Sequence, residues 1–179
     1  DETGAPVAQA ELFRPLRESF EVVDGAVLAV PRWGHTAVRL PGGFVLIIGG
    51  FTRTVDEEAP VRVSTLELYD PGQGEFTMAG ELDARAGLTE MTVSRLPDGN
   101  VLLAGGIDVA GEPVAQATVA FLDALSGMVI VSGTDTLSVP RAGHGAALLC
   151  DGTILVVGGS DDPSAPSAER YNPPSANRR

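Results

Sequence analysis

Pro31-Arg32-Trp33-Gly34-His35-Thr36-Ala37-Val38-Arg39-Leu40-Pro41-Gly42-Gly43-Phe44-Val45-Leu46-Ile47-Ile48-Gly49-Gly50 decides the fold, because the chain repeats it. A second version runs Pro140-Arg141-Ala142-Gly143-His144-Gly145-Ala146-Ala147-Leu148-Leu149-Cys150-Asp151-Gly152-Thr153-Ile154-Leu155-Val156-Val157-Gly158-Gly159. A weaker third lies between them, from Ala84-Arg85 through Leu96-Pro97-Asp98-Gly99-Asn100 to Gly105-Gly106. The glycine pairs stand at 49–50, 105–106 and 158–159, steps of 56 and 53 residues. Self-similarity at such a period marks a stacked-repeat architecture. A second marker follows each pair: Leu66-Glu67-Leu68-Tyr69-Asp70-Pro71, then Ala120-Phe121-Leu122-Asp123, then Glu169-Arg170-Tyr171-Asn172-Pro173. Glu11-Leu12-Phe13-Arg14-Pro15 is a further copy near the start. Phe20, Phe76 and Val129 each come seven residues after Phe13, Tyr69 and Leu122. Pro6-Val7-Ala8-Gln9-Ala10 also returns as Pro113-Val114-Ala115-Gln116-Ala117.

Each unit holds four short segments that predict strands. Thr36 to Leu40 is small and apolar, and Phe44 to Ile48 is a continuous apolar run, as expected of a strand buried on both faces. Thr65 to Tyr69 alternates, which predicts one covered and one wetter face. The fourth, around Glu75 to Met78, is the expected outer edge. Pro41-Gly42-Gly43, Pro97-Asp98-Gly99-Asn100 and Cys150-Asp151-Gly152-Thr153 are tight hairpin signals between first and second strands. Asp70-Pro71-Gly72-Gln73-Gly74 has the turn chemistry to join third to fourth. No stretch carries a helical period of useful length. The chain therefore reads as all-β, built from four-stranded antiparallel units.

A four-stranded sheet of this size cannot bury both faces alone, so neighbouring units must stack. Stacking around an axis gives a β-propeller, and a glycine pair near a crowded axis allows backbones to approach where a Cβ would clash. The order Arg-x-x-His, apolar strand, Asp-Gly turn, apolar strand with Gly-Gly, then Glu-x-Tyr-Asp-Pro and an aromatic seven residues on resembles Kelch repeats. The unit at 84–131 departs from the pattern, with Thr89 near the His place, Leu122 for Tyr and Val129 for the last aromatic. Phe20 and Phe76 stand where the family usually has Trp. A WD40 reading fails, because no Gly-His followed by Trp-Asp occurs.

The predicted segmentation is a partial unit at 1–24 with third and fourth strands only, full units at 31–79 and 84–132, a partial unit at 140–173 and a tail at 174–179. That makes about three to four blades, fewer than a conventional ring closes with, given that propellers have 4 to 8 blades. The expectation is an incomplete Kelch-type propeller whose remainder lies in further sequence or in another chain. The start at Asp1, without an initiator Met or visible signal peptide, fits a processed form or a segment of something longer.

The formal charge of −12, with Arg as the only strong cation, argues against nucleic acid or an anionic membrane as partner. No apolar run is long enough to span a membrane as a helix. The lone Cys150 excludes an internal disulfide, and its place at the end of an apolar run predicts a buried, inert thiol.

Strands alternate in direction, so the tight turns share one face of the stack and the second-to-third and fourth-to-first connections share the other. The latter vary in length and sequence, and variable loops on a rigid scaffold are the usual place for binding. The candidate binding residues on that face are Trp33, Phe51, Arg53, Asp56, Glu57, Glu58, Asp108, Glu112, Asp135, Asp161 and Asp162. The acidic run 56–58 invites a cationic partner or a calcium ion, but no calcium-loop pattern accompanies it, and a solvated loop is the plainer reading. Trp33 is a candidate to stack on a sugar or anchor a protein contact, against a packing role at the rim of the core.

Recurrence assigns other residues to architecture. Gly49, Gly50, Gly105, Gly106, Gly158 and Gly159, with Tyr69 and Tyr171, are repeat markers. Arg32, Arg85 and Arg141 are expected to pair from unit to unit. His35 and His144, equivalent in the repeat, are expected to hydrogen-bond within their own units rather than converge on a metal. The resemblance extends to copper radical oxidases related to galactose oxidase, whose Tyr, His and Cys ligands would need counterparts. Tyr69, Tyr171 and Cys150 are all accounted for as strand positions, so no catalytic residue, metal site or cofactor is expected. The function expected is a non-catalytic protein-interaction or assembly module, extracytoplasmic by resemblance to secreted bacterial Kelch arrays. The rivals are a carbohydrate-binding surface protein and the non-catalytic part of a copper enzyme.

Overall fold

A computed structural model describes residues 5–53, 59–160 and 162–172. The chain is all-β; among the described residues the only helical turn is a three-residue 3-10 turn at Pro41–Gly43.

Strands β1 (Gln9–Arg14) and β2 (Ser19–Val27) form a hairpin. A second sheet contains β3 (Thr36–Arg39) and β4 (Val45–Ile48); a small hairpin of β5 (Phe51–Thr52) and β6 (Val61–Arg62) intervenes before its last strands, β7 (Thr65–Asp70) and β8 (Glu75–Glu81). The third sheet is β9 (Thr92–Arg95), β10 (Val101–Ala104), β11 (Gln116–Leu122) and β12 (Val129–Thr136). The fourth is β13 (Gly145–Leu148), β14 (Ile154–Val157) and β15 (Ala168–Tyr171). All pairings are antiparallel between neighbours, and the registers match from sheet to sheet: Thr36↔Ile48↔Leu66, Thr92↔Ala104↔Ala117 and Gly145↔Val157↔Ala168.

The turns explain that regularity. Asp70, Asp98, Asp123 and Asp151 each accept a hydrogen bond from a backbone amide two residues on, at 2.7, 3.0, 3.4 and 3.1 Å. Such Asx bonds reverse the chain locally and set the register of the flanking strands. Beside the third-to-fourth turns, Phe13 packs on Phe20 and Tyr69 on Phe76, both with ring centroids 5.1 Å apart.

The sheets stack in chain order. β9 lies against both β3 and β13, and β8 lies against both β2 and β12. One apolar cluster fills the space between second and third sheets, with Leu46, Ile48, Leu66 and Leu68 facing Leu88, Val101, Leu103 and Ala120. The next unites Leu102, Ala104, Ala117 and Val119 with Ile154, Val156 and Tyr171. Burying one such Leu or Ile side chain contributes roughly 1.5–3 kcal/mol.

Two expectations are corrected by this packing. β7 does not alternate: Leu66, Glu67, Leu68 and Tyr69 are all buried, because sheets or chain cover both of its faces. Alternation appears instead on the last sheet, where Ile154 and Val156 are fully buried while Val157 is 47% exposed. Cys150 is exposed, because it falls in the β13–β14 turn and not inside a strand.

Candidate functional site

The repeated residues fall into three arrangements, two of them across the joints between sheets and one within single sheets. The first is the glycine joint. Gly50 N donates to the Leu88 carbonyl at 2.9 Å, and Gly106 N donates to the Arg141 carbonyl at 2.6 Å, each bond running from one sheet to the next. A Cβ on Gly49 would lie 1.9 Å from the Leu88 oxygen, and one on Gly105 would lie 2.4 Å from the Arg141 oxygen. Those glycines are required by close approach between sheets.

The second is a buried ion pair. Arg32 Nη2 meets Glu67 Oε1 at 2.6 Å with both side chains fully or almost fully buried. Arg32 also donates to the carbonyls of Val30, Gly49 and Thr65, and Glu67 accepts from the amides of Ala29 and Val30. Burial draws the guanidinium pKa down and Glu67 opposes this. In the fourth sheet Arg141 repeats the pattern with Glu169 at 2.8 Å and Gly158 O at 2.6 Å, while Ser138 N caps Glu169. Burial acts to raise the Glu169 pKa, but the Ser138 amide and Arg141 outweigh it and hold the carboxyl below its ordinary value. The expected unit-to-unit pairing is therefore corrected: each pair lies within one sheet and ties its lead-in to its second and third strands. Arg85 takes no such role. It is exposed, and Leu88 and Thr118, both buried, occupy the places of Arg and Glu in the third sheet.

The third arrangement involves the histidines. His144 is 7% exposed, and its Nε2 lies 2.8 Å from Thr92 Oγ1 of the preceding sheet, so its hydrogen bond crosses the joint instead of staying within the unit. Burial and the neighbouring Arg141 push its pKa down. The nearby Ala104 carbonyl acts in the opposite sense without giving Nδ1 a hydrogen bond. Met91 holds the equivalent place at the earlier joint, with its Cε beside Gly49. His35 is exposed and makes no side-chain hydrogen bond to a described residue.

The variable loops gather on the opposite face from the tight turns. Trp33 and Phe51 bridge through both backbone amides, at 3.0 and 2.8 Å, and stack with ring centroids 5.8 Å apart. Arg62, carried by the β5–β6 hairpin, places Cζ 5.4 Å from the Phe51 centroid and reaches Thr89 Oγ1 with Nε at 3.3 Å. Trp33 remains 39% exposed, so the stack offers one open indole surface over a packed base.

Farther round, Ala142 and Ser160 stand where Trp33 and Phe51 stand in the repeat. With small residues there, a cleft of about 560 Å³ opens, lined by Ile107, Pro113, Val139 and Pro140 together with Glu90 and Asp162. Glu90 holds a left-handed backbone at φ 55, the place taken by Gly34 and Gly143 in the other two units.

The remaining candidates divide. Asp108 folds its own loop by accepting from the amides of Ala110 and Glu112 at 2.9 and 3.0 Å. Asp162 likewise accepts from Ser164 N and Oγ, which hold its pKa low. Asp135, in β12, accepts from Thr136 N, while Arg53 and Glu112 are exposed. Asp56, Glu57, Glu58 and Asp161 lie outside the described residues. Among the described residues no three acidic, His or Cys side chains cluster with metal-binding geometry. Sequence reasoning passed over Arg62, Glu90 and the Glu67/Glu169 partners. The acids were detectable as the Glu that stands two residues before Tyr69 and Tyr171 in the repeat marker; Arg62 had no local signal. No family model matches the chain, and no curated protein matches it.

Proposed function

We propose that this chain is a segment of a Kelch-type β-propeller that works without catalysis, presenting its variable loops as a protein-binding face. The stacking supports the propeller part of this reading. First strands adjoin first strands and fourth strands adjoin fourth strands, and the same glycine-to-carbonyl bond recurs at successive joints, as rotation of one unit about an axis would produce. The observation that carries the binding part is the loop face itself, where an exposed indole on a packed aromatic–Arg base stands apart from a partly apolar cleft edged by carboxylates. Aromatic anchors and partly apolar clefts with charged rims are features of protein interfaces. The carbohydrate reading is less well served, since one ring of the two is taken up: Phe51 is covered by Trp33 on one side and approached by Arg62.

The test uses photo-crosslinking residues at Val109 and Ser164 on the loop face and at Gln73 and Leu125 on the turn face. Specific protein adducts from the loop-face probes alone support the reading. Equal capture from both faces, or stoichiometric copper in the purified protein, overturns it.

A further inference from the structure

We propose that the loop-face cleft between the third and fourth sheets seats one arginine side chain presented by a partner protein, with Glu90 and Asp162 receiving the guanidinium. The inference rests on the loop-face reading and names the ligand chemistry that one part of that face takes.

The preceding joint supplies the template. There Phe51 pairs with Arg62 across the β5–β6 hairpin, and Arg62 places its guanidinium carbon 5.4 Å from the Phe51 centroid. Its Nε reaches Thr89 Oγ1 in the lead-in of the third sheet, so an arginine of the chain itself spans the loop-face mouth of that joint. One joint farther on, Ile107 follows its glycine pair as Phe51 does, and it pairs with Pro113 as Phe51 pairs with Arg62. Ala142 follows Arg141 as Thr89 follows Leu88. Ile107, Pro113 and Ala142 all line the cleft of about 560 Å³. The cleft therefore lies where Arg62 lies in the joint before it, and proline, too short to span the gap, takes the place of arginine.

This cleft also has acids that the earlier joint lacks. Glu90 stands where the second sheet's lead-in has Gly34. Gly143 N donates to the Glu90 carbonyl at 2.9 Å, and a Cβ added to Gly143 would lie 3.6 Å from Glu90 Oε2, which sets the carboxylate against the fourth sheet's lead-in. That carboxylate makes no hydrogen bond or ion pair to a described residue. On the far side Ser164 N and Oγ both donate to Asp162 Oδ1, leaving Oδ2 for a ligand. Ile107, Val139 and Pro140 give the walls an apolar character that suits the methylene stem of an arginine. Two carboxylates match the several donors of a planar guanidinium, and the chain's charge of −12 draws a cation toward them.

The probe is Nα-acetyl-arginine amide, titrated into the intact chain with backbone amides followed by NMR. The corresponding citrulline compound, of the same shape without the charge, is the control. Saturable shifts centred on Glu90, Ile107 and Ala142, absent with the citrulline compound, are expected. Glu90→Gln should weaken binding about threefold or more. Pro113→Arg, which copies Arg62, should abolish it by filling the cleft from within, whereas Glu11→Gln, an equal change in net charge placed in β1, should leave it unchanged. All three variants are checked for cooperative unfolding. Equal binding of the citrulline compound, shifts that do not saturate, insensitivity to Pro113→Arg, or an effect of Glu11→Gln as large as that of Glu90→Gln would each overturn the proposal. Saturation that appears only after Arg178 and Arg179 are changed to Gln would give the cleft to the chain's own tail and overturn it as well. Protein adducts from the Val109 and Ser164 crosslinking probes should fall in Pro113→Arg; adducts that persist there would remove this site while leaving the loop-face reading intact.

Discussion

Replacing Gly49 and Gly158 by Ala separates two roles of the glycine pair. Both residues have left-handed φ, +66° and +77°, so both substitutions incur the same backbone penalty of about 1–2 kcal/mol. At Gly158 nothing lies within 4 Å of the new Cβ, and the penalty should end there. At Gly49 the Cβ falls 1.9 Å from the Leu88 oxygen and 2.9 Å from Met91 Cε, so the second and third sheets must part. Parting them strains a packed core by about 1–3 kcal/mol. It also breaks the 2.9 Å bond from Gly50 N to Leu88 O, at about 1–3 kcal/mol for a buried polar group left unpaired. Gly49→Ala should therefore lose at least about 2 kcal/mol more than Gly158→Ala, a factor of about 30 in the folding equilibrium. Urea denaturation followed by circular dichroism measures both, with the slope compared to check that the unfolded states match. Gly105→Ala should behave like Gly49→Ala, given its 2.4 Å approach to Arg141 O. If Gly158→Ala proves as damaging as Gly49→Ala, the pair is set by its own turn and the joint argument fails.

The buried pair predicts that Glu67→Ala, which strands the Arg32 guanidinium, costs about 3–5 kcal/mol, whereas Arg32→Leu with Glu67→Thr, copying Leu88 and Thr118, costs less than the two single changes together. A double-mutant cycle in urea reads this, and strict additivity would contradict it. His144 has a folded-state pKa below its unfolded value near 6.5, so the unfolded chain binds more protons and stability should drop as pH falls from 7.5 through about 6. Urea midpoints across that range check it, and His144→Met, which imitates Met91, should flatten the dependence. Glu169, with its lowered pKa, loses its contribution only in a more acidic window. Phe51→Ala should shift the emission of Trp33, the chain's single Trp, to longer wavelength while costing about 0.5–1.5 kcal/mol beyond lost burial. An unchanged spectrum would mean that the rings do not stack in solution.

Much of this architecture can be read from short-range signals. The glycine pairs and apolar runs mark the second strands, and Asp-Gly and Asp-Pro-Gly turns set hairpin registers within a few residues of themselves. Turn chemistry and strand period act locally, so sequence alone determines the all-β class and the repeated hairpin. The partners across tens of residues depend on how the sheets stack. An Arg alignment singled out Arg85, but the spacing to the turn at Leu96 places Leu88 in the joint, and only the observed hydrogen bond from Gly50 decides between them. His35 and His144 are identical as motif, yet one is exposed and the other buried, because β9 packs against the first strand that follows His144, whereas the hairpin ahead of the second sheet lies against β8. The β5–β6 hairpin that brings Arg62 over Phe51 is two residues long on each side, too short for a periodic signal to announce. The motif is thus written in the residues themselves, and whether each copy becomes core, joint or open surface is decided by its neighbour in the stack.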